Sequence, residues 1–416
     1  MNNSYRRKQA RLWFLVSRKN YEYINEYRKC LGSKEYQPLI GKSRVPSFVL
    51  KYPILKFFYV YSLSLVLFFI LVKKVILTFK EKRKVGYGKC DVNELFLVTG
   101  KNGMLQKLLK HANIDTSQGY WLCKRNEYPE DIVKERQIPS LSVLSNTKIL
   151  WAALDSIRSF AIIVRRKGFS FALETNGAYD WFLYYWTLQS FNKNTTLFFC
   201  QTYDPIIVSI GLAPQKNKVH LQHGTLLLRT NVNNIEYPVL QFMEGYDCWT
   251  VNSPYKLNDV TKAYAFSERE YEAECLSIFK NRPAPVFMGY NLQKCDLINV
   301  PGERKKVLII AFYRAFGDKI TAIIKGLHNY DVDILLKVHP QDSPSLFSEV
   351  ATKYGVKVFT GNEFPEAEVI LSYESTLALE YEALGASIIY FHIDSVTDVL
   401  KKVEEELRVL NTTVSQ

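Results

Sequence analysis

Two common kinds of site are missing from this 416-residue sequence. Its seven cysteines are scattered, odd in number and include no C-x-x-C pair. Disulfide frameworks and structural zinc sites both show regular cysteine spacing, so we expect neither, and free thiols in a reducing compartment are the simplest interpretation. Zinc-finger spacing, the aromatic signature of RNA-binding domains and internal repeats are also missing.

The composition is that of a folded protein with a basic surface. Apolar residues make up 47% of the chain and aromatic residues 14%, which excludes a disordered protein. The net charge is +13 and the pI about 9.2. Such a balance suits nucleic acid, an anionic membrane surface or a polyanionic substrate.

The position of the charges favours the membrane over nucleic acid. An uncharged stretch of 16 residues, "FFYVYSLSLVLFFILV" at 57–72, lies between two basic clusters. The first cluster contains Arg6, Arg7, Lys8, Arg11, Arg18 and Lys19, and the second contains Lys73, Lys74, Lys80, Lys82, Arg83 and Lys84. Basic residues on both sides of an apolar segment are typical of membrane contact, so we expect an anionic membrane surface as partner and no nucleic acid.

The apolar segment, taken as 53–79 with its flanks, leaves three interpretations open. It is a short membrane-spanning helix, a helix lying in one leaflet, or a buried helix of a soluble domain; a spanning helix needs about 20 apolar residues, and this stretch is borderline. Basic flanks on both sides suit the helix that lies in the interface. No small-residue cleavage site follows the basic start, so we do not expect a cleaved signal peptide.

Strand-like and helix-like segments alternate through the rest of the chain, which predicts an α/β protein with parallel sheets. We expect a basic N-terminal region at 1–85, a Rossmann-like domain at 86–282 and a second Rossmann-like domain at 283–416. The second domain has the pattern β-α-β-α-β-β-α-β of a doubly wound sheet. Ligands favour the cleft between two such domains, beyond the carboxyl ends of the strands.

Three motifs stand at predicted strand ends. "LQHGT" places His223, Gly224 and Thr225 after an apolar strand, and "LLKVHP" places Lys337 and His339 after another. "SYESTLALEYEALG" places Ser375, Thr376 and Glu380 where a strand gives way to a helix.

Each motif has a functional and a purely structural interpretation. A hydroxyl at a helix N-terminus caps the helix and, with the free N–H groups there, can bind a phosphate, while Glu380 can accept hydrogen bonds from ribose. His339 is held extended by Pro340 and can donate to an anionic leaving group. His223 can exchange a proton near neutral pH, whereas His220 suits a buried strand histidine. Asp204 follows a further apolar strand, where it lines the acceptor side or caps a turn.

Together these motifs resemble bacterial GT-B transferases of cell-surface polymers over residues 200–395. The relatives in question are capsule polysaccharide transferases and sialyltransferases with an H-P motif and a later S-S/T pair, and CDP-glycerol polyol-phosphate transferases with an H-G-T motif. Sialyltransferases of the H-P type carry an acidic-acidic-Gly base, which "LETNG" with Glu174 and "FMEGYD" with Glu244 match only in part.

The resemblance implies a GT-B fold with two Rossmann-like domains facing a cleft. His339, Lys337, Ser375 and Thr376 would hold the phosphates of a CMP-, CDP- or UDP-linked donor, and Glu380 stands where polyol-phosphate transferases have Asp. His223 would be the base for the acceptor hydroxyl. Glu174, Asp204, Gly224 and Thr225 are acceptor-side candidates.

The expected activity is a glycosyltransferase that extends a surface polysaccharide or a lipid-linked glycan at the cytoplasmic face of a bacterial membrane. In GT-B folds, dipoles and side chains can neutralise the leaving phosphate, and "DVD" at 331–333 starts a predicted strand, so we expect no metal and no cofactor. The alternative is a polyol-phosphate transferase; a sugar-nucleotide epimerase and a non-catalytic membrane scaffold stay open as further possibilities.

Overall fold

The computed structural model describes most of the chain after residue 51. The described residues are 52–85, 88, 91–98, 104–123, 132–167, 177–200, 206–224, 227–228, 240–243, 248–251, 256–290, 297–339, 342–373, 375–392 and 394–413.

The predicted apolar segment forms part of one long helix, α1 (Pro53–Val85). Its second half packs on the α/β unit that follows, through Leu71, Val75 and Phe79 at four-residue spacing. Lys74 and Lys82 add polar contacts to the same unit. Among the helices described, none combines the length and the apolar character that crossing a bilayer requires.

The first α/β unit has a seven-stranded sheet in the order β10-β9-β5-β4-β1-β2-β3, with all neighbours parallel. The strands are β1 (Glu94–Val98), β2 (Tyr120–Cys123), β3 (Gln137–Pro139), β4 (Thr196–Phe199), β5 (Asn217–Leu221), β9 (Lys262–Ala265) and β10 (Ala284–Phe287). Its helices are α2 (Met104–His111), α3 (Asn146–Lys167), α4 (Ala178–Leu188), α5 (Ile206–Gly211) and α6 (Glu268–Ser277).

A small antiparallel sheet is inserted between β5 and β9. It consists of β6 (Leu227–Leu228), β7 (Leu240–Met243) and β8 (Cys248–Val251), in the order β6-β8-β7. The insertion follows directly on the segment that contains His223, so the chain leaves the main sheet at the candidate site.

The second α/β unit has a five-stranded parallel sheet in the order β13-β12-β11-β14-β15. Its elements are β11 (Lys305–Ala311), α7 (Tyr313–Leu327), β12 (Val332–Val338), α8 (Ser348–Tyr354), β13 (Lys357–Phe359), β14 (Val369–Ser372), α9 (Thr376–Glu382), β15 (Ser387–Tyr390) and α10 (Val396–Thr413). The strand order reverses between β11 and β14, and the carboxyl ends of strands at such a point are where α/β sheets bind ligands.

The structure confirms the α/β class, the two parallel sheets and the predicted element order of the second unit. It corrects the boundary between the units. The strand at 284–287 pairs with β9 in the first sheet, so the second unit starts after residue 287 and not at residue 283. Of the segment "LETNG", only Gly177 lies within the described residues.

Candidate functional site

The segment after β5 is held in place by the side chain of Gln222. Its Nε2 donates to Oε2 of Glu270 at 2.6 Å and to the carbonyl oxygen of Gly224 at 3.0 Å. Its Oε1 accepts from the N–H of Phe266 at 2.9 Å. Gln222 and Glu270 are 1% and 0% exposed, and buried hydrogen bonds of this kind fix the local backbone. His223 therefore stands on a segment that is tied down on both sides.

Gly224 gives this segment its direction. Its φ is +79°, in the left-handed region that side chains disfavour. A Cβ placed there would lie 3.7 Å from Oγ1 of Thr376, the first residue of α9. Gly224 of the first unit therefore lies next to the start of α9 in the second unit.

His223 combines solvent exposure with a lowered pKa. Its side chain is open to water, yet the surrounding protein displaces enough solvent to lower the pKa, and His220 lowers it further. A water-accessible group inside a cleft has this character, because water reaches it while protein atoms replace much of its hydration. At neutral pH the imidazole is uncharged and able to accept a proton.

His220 is the buried strand histidine that the sequence predicts. It is fully buried in β5, and its Nδ1 lies 3.2 Å from Oε1 of Glu274, which is also fully buried. Its ring contacts those of Phe199 and Phe279, with centroids 5.2 and 5.5 Å away. These contacts place His220 in the core beneath the candidate site.

The turn from β14 into α9 positions the predicted hydroxyl pair. Ser375 is the N-cap of α9, and its Oγ accepts from the N–H of Ala378 at 3.2 Å. It also shares a hydrogen bond of 3.1 Å with Oγ of the buried Ser372. Thr376 follows and faces Gly224, and Glu380, one turn on, lies on the same side as Thr376. The hydroxyl groups of Ser375 and Thr376 therefore both lie at the N-terminal end of α9.

His339 ends β12 on the same sheet edge. Its N–H donates to the carbonyl oxygen of Ala311 at 3.0 Å, and its ring packs at a tilt against that of Phe312, with centroids 4.5 Å apart. Burial lowers the pKa of His339, and the carboxylate of Asp342 opposes this effect. The ring is therefore neutral at pH 7 and able to donate one N–H.

Two aromatic residues and one carboxylate at this edge of the sheet are not among the site residues predicted from the sequence. Phe312 follows β11, Tyr373 follows β14, and their ring centroids are 5.8 Å apart. Asp342 accepts from the N–H of Tyr313 at 2.6 Å and so joins the His339 segment to α7. The sequence contains a signal for Phe312 and Tyr373, since both directly follow strands of one sheet, whereas Asp342 lies four residues after the end of β12.

Lys337 is turned away from solvent. It is 4% exposed, its Nζ donates to the carbonyl oxygen of Gly361 at 2.7 Å, and it lies 4.8 Å from the ring centroid of Phe364. Burial lowers its pKa, and Glu363 opposes this effect. A contact with a donor phosphate requires the ammonium to share or leave Gly361, and that role stays a prediction.

Helix α9 also makes the contact between the units. Leu379 packs in a cluster of the first unit that includes Phe266, Met288 and Tyr290. One turn on, Glu382 lies 3.8 Å from Arg269 of α6. Thr376, Leu379 and Glu382 are spaced three residues apart, so one side of this helix faces the first unit throughout.

Three predicted acceptor-side residues, Glu174, Asp204 and Thr225, lie outside the described residues, as does Glu244. Within the part of the chain that is described, no cluster of three or more His, Cys, Asp or Glu side chains is arranged to hold a metal ion. The two aspartates of "DVD" stand at the amino end of β12 and pair with Arg304 and Lys357 at 3.0 and 3.7 Å.

Comparison with known proteins yields matches among solved structures alone. No known family and no curated protein matches the sequence. A glycosyltransferase from Rickettsia africae ESF-5 is 10% identical over 78% of this chain and 89% of that chain, with a TM-score of 0.37. The wall teichoic acid polymerase TagF is 13% identical over 81% of this chain and 80% of that chain, also with a TM-score of 0.37. MurG of Acinetobacter baumannii is 9% identical over 75% of this chain and 90% of that chain, with a TM-score of 0.33. Because these sequence identities and TM-scores are low, the function of this chain has to be argued from its own residues.

Proposed function

We propose that this protein is a GT-B type glycosyltransferase that moves a sugar from a nucleotide-activated donor to a surface polysaccharide or lipid-linked glycan, without a metal. The observation that carries the proposal is the meeting of the two units at Gly224 and Thr376. A proton acceptor on one unit can activate the acceptor hydroxyl, and a hydroxyl-rich helix end on the other can bind the phosphates of the donor.

In this scheme the second unit binds the donor. Ser375 and Thr376 donate hydrogen bonds to its phosphates, and His339 donates its N–H as negative charge develops on the leaving nucleotide. Glu380 accepts hydrogen bonds from the ribose. Lys337 adds positive charge at the same edge of the sheet.

The first unit presents the acceptor. The neutral His223 takes the proton of the acceptor hydroxyl as the bond to the sugar forms, and a lowered pKa suits this role because the base stays unprotonated at neutral pH. Glu174, Asp204, Gly224 and Thr225 are proposed to line the acceptor side.

Membrane contact suits an acceptor that is lipid-linked. The exposed apolar and basic residues of α1 support binding to an anionic membrane surface, and activated donors are made on the cytoplasmic side, where we place the protein. A reporter fused to the C-terminus tests the side, since a signal specific to the exterior contradicts this placement.

The alternative is a polyol-phosphate transferase with a CDP-linked donor. The observation that favours it is the position of the His223-Gly224 segment, whose H-G-T motif resembles that group, against the start of α9. The two functions share the leaving group and differ in what is transferred, so incubation with CDP-glycerol and with nucleotide sugars separates them.

Calorimetry with CMP, CDP, UDP and GDP is the first experiment. We expect one of these nucleotides to bind without added metal, in the presence of EDTA. Failure of all four to bind would favour the non-catalytic scaffold over either transferase.

Histidine variants then test the roles. We expect His223→Ala and His339→Ala each to lose most turnover, and His328→Ala, an exposed histidine after α7, to keep it. The acid limb of kcat/KM should fall below pH 6.5, the usual histidine value, because the pKa of His223 is lowered. Near-normal rates in either active-site variant would remove that residue from the mechanism.

A further inference from the structure

A cavity of about 250 Å³ lies between α1 and two helices of the first unit. Its walls are mostly apolar, with Leu67, Phe68 and Leu71 from α1, Ile157 and Phe160 from α3, and Tyr179 from α4. The cavity is open on one side, and an apolar guest that covers its walls would remove apolar surface from water. The shape and lining therefore suit a hydrocarbon chain and not a sugar or a nucleotide.

The cavity has a polar, charged side. Lys74 lines it and forms an ion pair of 2.9 Å with Asp180, and the two side chains are 29% and 53% exposed. Ser64 and Ser156 are the two hydroxyl residues of the lining. A guest with an apolar tail and a polar head therefore meets apolar walls and a polar side, where an anionic head would share Lys74 with Asp180.

The cavity opens beside a helix surface that is both apolar and basic. Among the described side chains in the first half of α1, seven large apolar ones are at least half exposed: Ile54, Phe58, Tyr61, Leu65, Val66, Phe68 and Phe69. Residues 53–85 contain seven basic residues and one acidic residue. Apolar side chains with neighbouring lysines are the pattern of helices that lie in the headgroup region of anionic membranes.

We propose that this cavity binds one acyl chain of an anionic phospholipid from the membrane on which α1 lies, with the lipid headgroup near Lys74. The charge of α1 selects an anionic lipid, and the apolar lining selects its chain. The proposal rests on the membrane contact proposed above and not on the transfer chemistry.

Photo-crosslinking tests the proposal without any donor or acceptor. Vesicles of phosphatidylglycerol and phosphatidylcholine carry a trace of phosphatidylglycerol with a diazirine near the end of one acyl chain. After illumination, mass spectrometry locates the modified residues. We expect cross-links to Tyr179, which is 2% exposed and therefore reports the interior of the cavity.

A pair of serine variants supplies the matched control. Ser64 lines the cavity, whereas Ser62, two residues earlier in α1, is exposed and not part of the lining. We expect Ser64→Phe to reduce cross-links to Tyr179 at least fivefold and Ser62→Phe to leave them unchanged. Sedimentation measures how much of each variant binds the vesicles, and the cross-links are compared per bound protein, because Ser62→Phe adds an apolar side chain to the exposed surface of α1.

Two results would overturn the proposal: wild-type cross-links confined to the outer surface of α1, or equal cross-linking of Tyr179 in both serine variants. If Ser64→Phe does not fold, Ile157→Phe fills the cavity from α3, with Leu150→Phe, an exposed position of the same helix outside the lining, as its control. Since the readout is lipid contact, a protein that transfers nothing can still confirm or contradict it.

Discussion

Replacing Gly224 by alanine tests the geometry on which the proposed function depends. The added Cβ would lie 3.7 Å from Oγ1 of Thr376, which is an ordinary van der Waals contact, so the substitution causes no steric clash. The cost comes from the backbone, because φ is +79° and a left-handed conformation costs a residue with a side chain about 1–2 kcal/mol. We expect the free energy of unfolding to fall by about 1 kcal/mol or more.

The same strain predicts a catalytic effect. The chain can relieve it by moving Gly224 out of the left-handed region, which displaces His223 and loosens the contact with Thr376. Since about 1.4 kcal/mol corresponds to a factor of ten, relief of this strain reduces the population with the native segment by about tenfold. We expect kcat/KM to fall by about the same factor.

Gly355→Ala is the matched control. Gly355 follows α8 with φ +65°, and nothing lies within 4 Å of the position of an added Cβ, so it carries a similar backbone cost at a place remote from the site. Urea denaturation measures both stabilities, and steady-state kinetics with the donor identified by calorimetry measures both activities. The reasoning is refuted if both variants lose equal activity, or if Gly224→Ala loses stability alone.

Three further predictions concern the helix ends, a buried histidine and the contact between the units. Ser375→Ala removes the N-cap of α9 and should cost about 1 kcal/mol in urea denaturation and weaken nucleotide binding, whereas Ser395→Ala, at the cap of α10, should affect stability alone. Burial lowers the pKa of His392 to about 4, so the unfolded chain binds a proton more readily than the folded protein between pH 6.5 and 4. The free energy of unfolding should therefore fall by on the order of 3 kcal/mol as the pH is lowered from 6.5 to 4, and urea denaturation of His392→Gln should show a weaker dependence on pH. A double-mutant cycle of Arg269→Ala and Glu382→Ala should give a coupling of at most about 1 kcal/mol that 1 M NaCl abolishes, because both side chains are partly exposed; a coupling insensitive to salt would contradict this.

The second unit could be predicted well because its signals are local. The apolar runs at 305–311, 332–338 and 369–372 are bounded by turn residues, and each became a strand of the sheet. The helix after Thr376 is followed by Gly385, whose φ of +88° suits a glycine just beyond a helix C-terminus. Short periodic segments with clear ends need no knowledge of distant partners.

The boundary between the units could not be predicted, because β10 depends on a distant partner. Proline lacks an N–H and occurs in linkers and in edge strands, so Pro283 and Pro285 are compatible with the predicted boundary at residue 283. Pro285 in fact lies in an edge strand that pairs with β9 at Ala263. Nothing in the local sequence states which sheet such a strand joins.

The support of His223 was missed for a similar reason. Gln222 binds Glu270, 48 residues further along the chain, and both residue types are ordinary at the surface. The sequence indicates that His223 follows the end of a strand. The hydrogen bond that fixes the segment joins Gln222, after β5, to Glu270 in α6, and only the folded structure brings these two elements together. The candidate site was therefore predictable at its exposed residues and not at the buried ones behind them.

The double role of α9 links donor binding to the arrangement of the units. The helix that carries Thr376 also contributes Leu379, 4% exposed, to an apolar cluster of the first unit. Displacing α9 would expose that packed side chain, so a ligand held both by Ser375 and Thr376 and by His223 of the first unit favours the state in which Leu379 stays packed. The coupling is reciprocal: the factor by which the ligand stabilises the contact of Leu379 is the factor by which loss of that contact lowers the affinity for the ligand. The proposed donor site is therefore energetically linked to the contact between the units.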